Sequence, residues 1–123
     1  MQNNFDIDLD FGQIYEKKIK NMLEGKGRIE VKTERDIWKK TGNIVIEILY
    51  KGRPSGLSIT NADWWIHILS YNGKIDLAFI FSVCKLKRKI KKLVAKKEAR
   101  IVMGGDNKDS KLVLVPINKI LQI

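Results

Sequence analysis

Apolar residues recur at three- and four-residue spacings from Phe11 through Ile14, Tyr15, Ile19 and Met22 to Leu23. That period predicts an amphipathic helix over residues 11–24. Asp10 is placed to cap its start, Gly25 and Gly27 to end it, and Glu16 lies beside the apolar stripe. At Arg28 the period changes to two. Ile29, Val31 and Thr33 alternate with Glu30, Lys32 and Glu34, the signature of a strand. A polar connection, Arg35 to Gly42, leads into a second strand, Asn43 to Tyr50, where Ile44, Ile46 and Ile48 alternate with Val45, Glu47 and Leu49. These two strands are expected to form an antiparallel hairpin with a long loop.

The turn-rich Gly52-Arg53-Pro54-Ser55-Gly56 follows, and Thr60 or Asn61 is placed to cap a short helix through Trp64-Trp65, ahead of the apolar Ile66–Leu69. Tyr71-Asn72-Gly73-Lys74 reads as a hairpin turn, and the continuous apolar run Leu77–Val83 as a strand in the middle of a sheet. Lys85–Ala99 is the strongest helix pattern in the chain, with Leu86, Ile90, Leu93 and Val94 as its buried stripe. Arg100–Met103 and Lys111–Pro116 are short strands separated by the turn Gly104–Asn107, with a turn of helix expected at the end. The order predicts one α/β domain over residues 1–123, a mixed β-sheet flanked by helices.

Composition narrows the picture. A 44% hydrophobic content with two prolines belongs to a folded globule, and 123 residues suffice for one core. The longest apolar stretch, Leu77–Cys84, is far short of the roughly 20 residues a bilayer-spanning helix needs. The polar, acidic start, Met1 to Asp6, is unlike a signal peptide, so the expected location is the cytosol, with no membrane partner. The single cysteine, Cys84, excludes an intramolecular disulfide and a cysteine-based zinc site, and is read as a buried small hydrophobe. His67, the one histidine, sits in an apolar stretch and is read as structural. At least one of Trp64 and Trp65 is read as core. Gly104-Gly105-Asp106 lacks the Lys-Ser/Thr of a phosphate-binding loop, and Ser55 has no histidine base expected nearby, so NTPase and serine-hydrolase roles are unsupported.

Charge changes the picture most. The net charge is +10, yet residues 85–100 hold nine Lys or Arg and one acid, leaving +2 for everything else. Such a run repels itself at the i,i+4 spacing, a cost that favours a functional reason over a merely solvated face. A polyanion, nucleic acid above all, is the natural partner for Lys85, Lys87, Arg88, Lys89, Lys91, Lys92, Lys96, Lys97 and Arg100.

If the hairpin closes symmetrically about the Glu34–Asn43 connection, Glu30 stands opposite Glu47 and Lys32 opposite Val45, on one face. Two carboxylates then lie roughly 5 Å apart with a lysine beside them. Like charges so placed repel, and a divalent cation removes the problem: Mg²⁺ commonly takes one or two carboxylates plus waters and phosphate oxygens. Glu34, on the same face, is a further candidate ligand. The bland alternative is a solvent-exposed strand face striped with Glu and Lys.

Gly12-Gln13-Ile14-Tyr15-Glu16 resembles the Gly-x-x-(Trp/Tyr)-Glu opening helix of Holliday-junction-resolvase-like members of the PD-(D/E)xK superfamily, and Ile29-Glu30-Val31-Lys32-Thr33 resembles their E-x-K strand. Thr41-Gly42-Asn43, Ile46-Glu47, Pro54-Ser55-Gly56 and Thr60-Asn61-Ala62-Asp63-Trp64-Trp65 are similar to a group of small, mostly phage-encoded proteins of that kind. The likeness covers about Gly12–Leu69 by motif and the rest by element order. It implies a restriction-endonuclease-like core in the order α-β-β-(α)-β-α-β-β. The family's chemistry needs a helix glutamate, a strand Asp and (Asp/Glu)-x-Lys on the next strand. In one placement Glu30-Val31-Lys32 is the literal triplet, but no Asp lies on a strand between Glu16 and Glu30. In the other, which element order favours, Glu30 stands for the Asp and Glu47 for the triplet acid, with Lys32 supplying the displaced lysine.

The resemblance implies a Mg²⁺- or Mn²⁺-dependent deoxyribonuclease, in a phage setting within the host cytoplasm. Glu16, Glu30, Lys32 and Glu47 would carry catalysis, Glu30, Glu47, Glu16 and Glu34 would hold metal, and Ser55 and Thr60 would support the loop. A homodimer would suit so small a domain. Two alternatives stand beside it: a nuclease-fold DNA-binding protein that has lost part of its site, and an interaction module for acidic partners.

Overall fold

The computed structural model describes residues 4–122. Helix α1 (Asn4–Asn21) runs into a π-turn, Met22–Lys26, that breaks where Gly25 takes φ 81°. It begins before the expected start, so Asp10 lies inside the helix instead of capping it. Then follow β1 (Ile29–Arg35), α2 (Ile37–Thr41), β2 (Asn43–Tyr50), β3 (Arg53–Pro54), β4 (Trp64–Tyr71), β5 (Lys74–Ser82), α3 (Val83–Ala95), β6 (Arg100–Gly104), β7 (Ser110–Pro116) and α4 (Ile117–Ile120). The architecture is α/β, with mixed pairing and helices at the flanks.

The strands divide between two sheets, ordered β1-β4-β5 and β3-β2-β7-β6. The expected β1–β2 hairpin is not formed. β1 pairs in parallel with β4, setting Glu30 beside Trp65 and Lys32 beside His67, while β2 pairs antiparallel with β7, setting Glu47 beside Leu112. The cause lies in the connection read as loop. Asp36 leaves β1 at φ 40° and opens α2, whose Trp38 is buried and donates from Nε1 to the Ser70 carbonyl at 2.7 Å. This short helix carries the chain out of the first sheet before β2 begins.

Two other segments depart from expectation. Trp64-Trp65 is strand, not helix. Thr60 Oγ1 accepts from Ala62 N at 3.2 Å in a tight turn, after which Trp65, His67 and Leu69 alternate as the buried face of β4. β5, read as a central strand, lies at an edge, and Ile75, Leu77 and Ile80 are exposed on it. Its Ser82 caps α3, accepting from Lys85 N, so the helix starts two residues before the expected Lys85; it ends at Ala95, beyond which Lys97 takes φ 61°.

The core gathers from both sheets and from α3: Ile44 and Ile46 of β2, Val113 and Val115 of β7, Trp65 and Leu69 of β4, and Val83, Leu86, Ile90 and Leu93 of α3. Burying each such side chain contributes about 1.5–3 kcal/mol. Cys84 is exposed, one position off the buried stripe of α3 that Val83 begins, which corrects its reading as a core residue. Among the described residues no helix is long and apolar enough to cross a membrane.

Candidate active site and basic helix

β1 presents Glu30, Lys32 and Glu34 on one face because a strand alternates sides. In the parallel register these residues share their face with Trp65, His67 and Leu69 of β4, which are buried. The acidic and basic side chains of β1 are therefore turned to the side on which the core lies. From the second sheet comes Glu47. A bulge in the β2–β7 pairing follows it directly, with the register shifting between Glu47 and Leu49. Bulges re-aim side chains and often sit beside functional sites.

Lys32, Glu34, Val45, Glu47, Gly56 and His67 meet around one hollow of about 310 Å³. Each charged group in it has a defined partner. Lys32 Nζ lies 3.3 Å from Glu30 Oε1. Glu47 Oε1 accepts from the Ser110 hydroxyl at 2.8 Å. Glu34 Oε2 accepts from the backbone N–H of Val45 at 2.8 Å, and pairs with Nε2 of the buried His67. The Val45 bond has a simple origin: β3 covers β2 only at Leu49 and Tyr50, so that edge needs another acceptor, and the carboxylate supplies it. His67 Nδ1 in turn accepts from Trp65 Nε1 at 3.1 Å, which assigns the ring hydrogen to Nε2 and makes His67 a donor to Glu34.

The Pro-Ser-Gly turn backs this hollow. Ser55 N donates to the carbonyl of the bulge residue Ile48 at 3.0 Å. Gly56 takes φ 51° against β2, where a Cβ would come within 2.2 Å of the Glu47 carbonyl oxygen. Only glycine fits there. Ser55 Oγ is buried and, among the described residues, has no hydrogen-bond partner. Thr60 serves its own turn and lines a separate hollow with Asp63 and Lys87.

The expected site residues are thus partly brought together. Lys32, Glu34 and Glu47 converge, and Glu30 joins through Lys32. Glu16 does not join them: it lines a different, open hollow with Tyr15, Ile19 and Lys20. Glu30 and Glu47 are not opposed across a hairpin. Among the described residues no three His, Cys, Asp or Glu side chains gather as a ready-made metal cluster. Sequence reasoning treats His67 as structural and misses its bond to Glu34. The available signal is the Trp65-x-His67 spacing, which places both rings on one face once the segment is a strand.

Comparison of the chain with protein-family models, with curated proteins and with solved structures yields no match.

The basic residues stand apart from the hollow. On α3, Lys85, Lys87, Arg88, Lys91 and Lys92 are exposed, as are Lys96, Lys97 and Arg100 beyond it. Lys89 is half-buried and donates to the Gln122 carbonyl. Arg88 leans on Cys84, at 3.6 Å from its sulfur. Lys87 and Lys91 rim an apolar hollow of about 390 Å³ walled by Ile48, Ile90 and Val94. Among the described residues none of these nine cations is in an ion pair, whereas Arg28, Lys32 and Lys39 are paired with Asp63, Glu30 and Asp76.

Proposed function

We propose that the chain is a metal-dependent nuclease that hydrolyses DNA phosphodiester bonds, built on a variant of the restriction-endonuclease-like core whose acid-bearing strands lie in two sheets. The observation that carries this reading is the convergence of Lys32, Glu34 and Glu47 from separate sheets on one hollow. Two carboxylates facing one hollow fit Mg²⁺ or Mn²⁺, which takes one or two carboxylates and fills its remaining positions with water and phosphate oxygens. Glu34 and Glu47 would hold the ion, each with one oxygen outside the bonds described above. The bound ion supplies a more acidic water and offsets charge on the scissile phosphate. Lys32, which lines the same hollow and is paired with Glu30, would neutralise charge on the phosphate oxyanion. The exposed cations of α3, in no ion pair among the described residues, hold the nucleic-acid backbone without reading its sequence.

A second reading has an observation of its own. Glu34 Oε2 is already engaged by Val45 and His67, and Glu16 stays away, which suits a DNA-binding protein that kept the fold and lost cleavage. Cleavage of end-labelled linear, nicked and branched DNA, with Mg²⁺, Mn²⁺ or EDTA, separates the two. Wild type should cut with metal and not with EDTA. Lys32→Ala and Glu47→Ala should each lose about 100-fold or more, the usual cost of removing one group that stabilises the transition state. Binding of all these DNAs with no cutting under either metal would sink the nuclease and leave the second reading.

A further inference from the structure

The proposed chemistry leaves one buried titratable side chain without a task. His67 is 1% exposed and is held from two sides, by the Trp65 indole N–H on Nδ1 and by Glu34 on Nε2. Any buried imidazole needs both ring nitrogens satisfied, so what distinguishes His67 is the identity of its partners, an indole on one side and on the other a carboxylate that lines the hollow. The indole and imidazole rings lie nearly parallel, 12° apart, with centroids 6.5 Å from one another, so the ring plane as well as the tautomer is set.

The geometry points to His67 as a positioning residue for Glu34, which orients the carboxylate to receive a divalent cation in the hollow shared with Glu47. The inference rests on the metal-dependent reading above. Its logic is a division of labour between the two carboxylate oxygens. Oε2 takes both the Val45 N–H and the His67 Nε2–H, so the carboxylate cannot swing about its last torsion without breaking one of them. Oε1 lies outside both bonds and is the oxygen left for a ligand. The indole fixes which imidazole nitrogen carries hydrogen, the imidazole fixes the carboxylate, and the carboxylate faces the hollow. Outer partners of this kind orient metal-ligating groups, and losing one typically lowers metal affinity by about 10- to 100-fold.

The test is Mn²⁺ binding to the 123-residue chain without DNA, by titration calorimetry or by the signal of free Mn²⁺, with thermal denaturation run alongside. Wild type should bind, and Glu34→Gln and Glu47→Ala should each weaken binding, which checks the parent reading. His67→Phe should weaken it by about 10-fold. His67→Gln, whose amide still donates, should recover most of that loss. Should His67→Phe fail to fold, Trp65→Phe is the substitute, since it keeps an aromatic ring and releases the Nδ1 end of the imidazole; it should weaken Mn²⁺ binding too. If wild type binds and the folded His67 and Trp65 variants bind as tightly, His67 is structural and the inference is overturned while the metal site stands. If wild type itself does not bind Mn²⁺, the metal-dependent reading falls and takes this inference with it.

Discussion

Gly56 and Glu47 form a unit that neither residue type announces. The glycine has no side chain because the Glu47 peptide occupies the space, at 2.2 Å from where a Cβ would stand, and because φ is 51°. Gly56→Ala should therefore cost about 1–3 kcal/mol, read as a lowered midpoint in chemical denaturation. A midpoint unchanged from wild type would mean the turn relaxes freely and does not brace Glu47. Trp65→Phe tests a different bond: it keeps most of the packing but removes the donor to His67 Nδ1, and should cost about 1 kcal/mol beyond the packing change. At this scale the sequence marks residues that the fold brings together and says less about their partners. Glu30, Lys32, Glu34 and Glu47 stand out from alternation and charge, and the hollow unites three of them. The bond from the Val45 N–H to Glu34 is invisible there, because it depends on β3 leaving that edge of β2 open, a fact of pairing and not of pattern.

Elements are legible where period alone decides them. β2 matches its expected bounds, and α3 its stripe, because eight alternating residues and a 3.6-residue repeat admit few other structures. Partners are not legible. Proximity in the chain favours pairing β1 with β2, yet the intervening Ile37–Thr41 forms a helix anchored by Trp38, and β1 finds β4 across 35 positions instead. The Trp64-Trp65 segment misleads for a related reason: a capping threonine and a short apolar run fit either state, and only the pairing with β1 on one side and β5 on the other settles it. The same two-sided pairing makes β4 the most protected strand of its sheet. Its amides, Ile66 and Ile68 among them, should exchange with deuterium far more slowly than those on the open edge of β5, as native-state exchange would measure. Equal rates would mean that the sheet opens as one unit.

Over the whole molecule, charge is the organising asymmetry: nine cations and one acid within residues 85–100, with the acids Glu34 and Glu47 gathered in a hollow between the sheets. Lys87→Glu with Lys91→Glu should weaken DNA binding uniformly across sequences and flatten the dependence of log affinity on log salt by about 0.9 for each phosphate no longer neutralised. Binding with the slope of wild type would move the nucleic acid off α3. The hollow itself spans distant parts of the chain, since the hydroxyl that holds Glu47 belongs to Ser110, 63 positions downstream. Long loop closures of that kind form slowly and late. In a chain made from its amino end, β1 and β4 are complete before β7 exists to finish the second sheet. Until then Glu47 lacks the Ser110 hydroxyl that holds it, so the hollow between the sheets is finished only once β7 is in place.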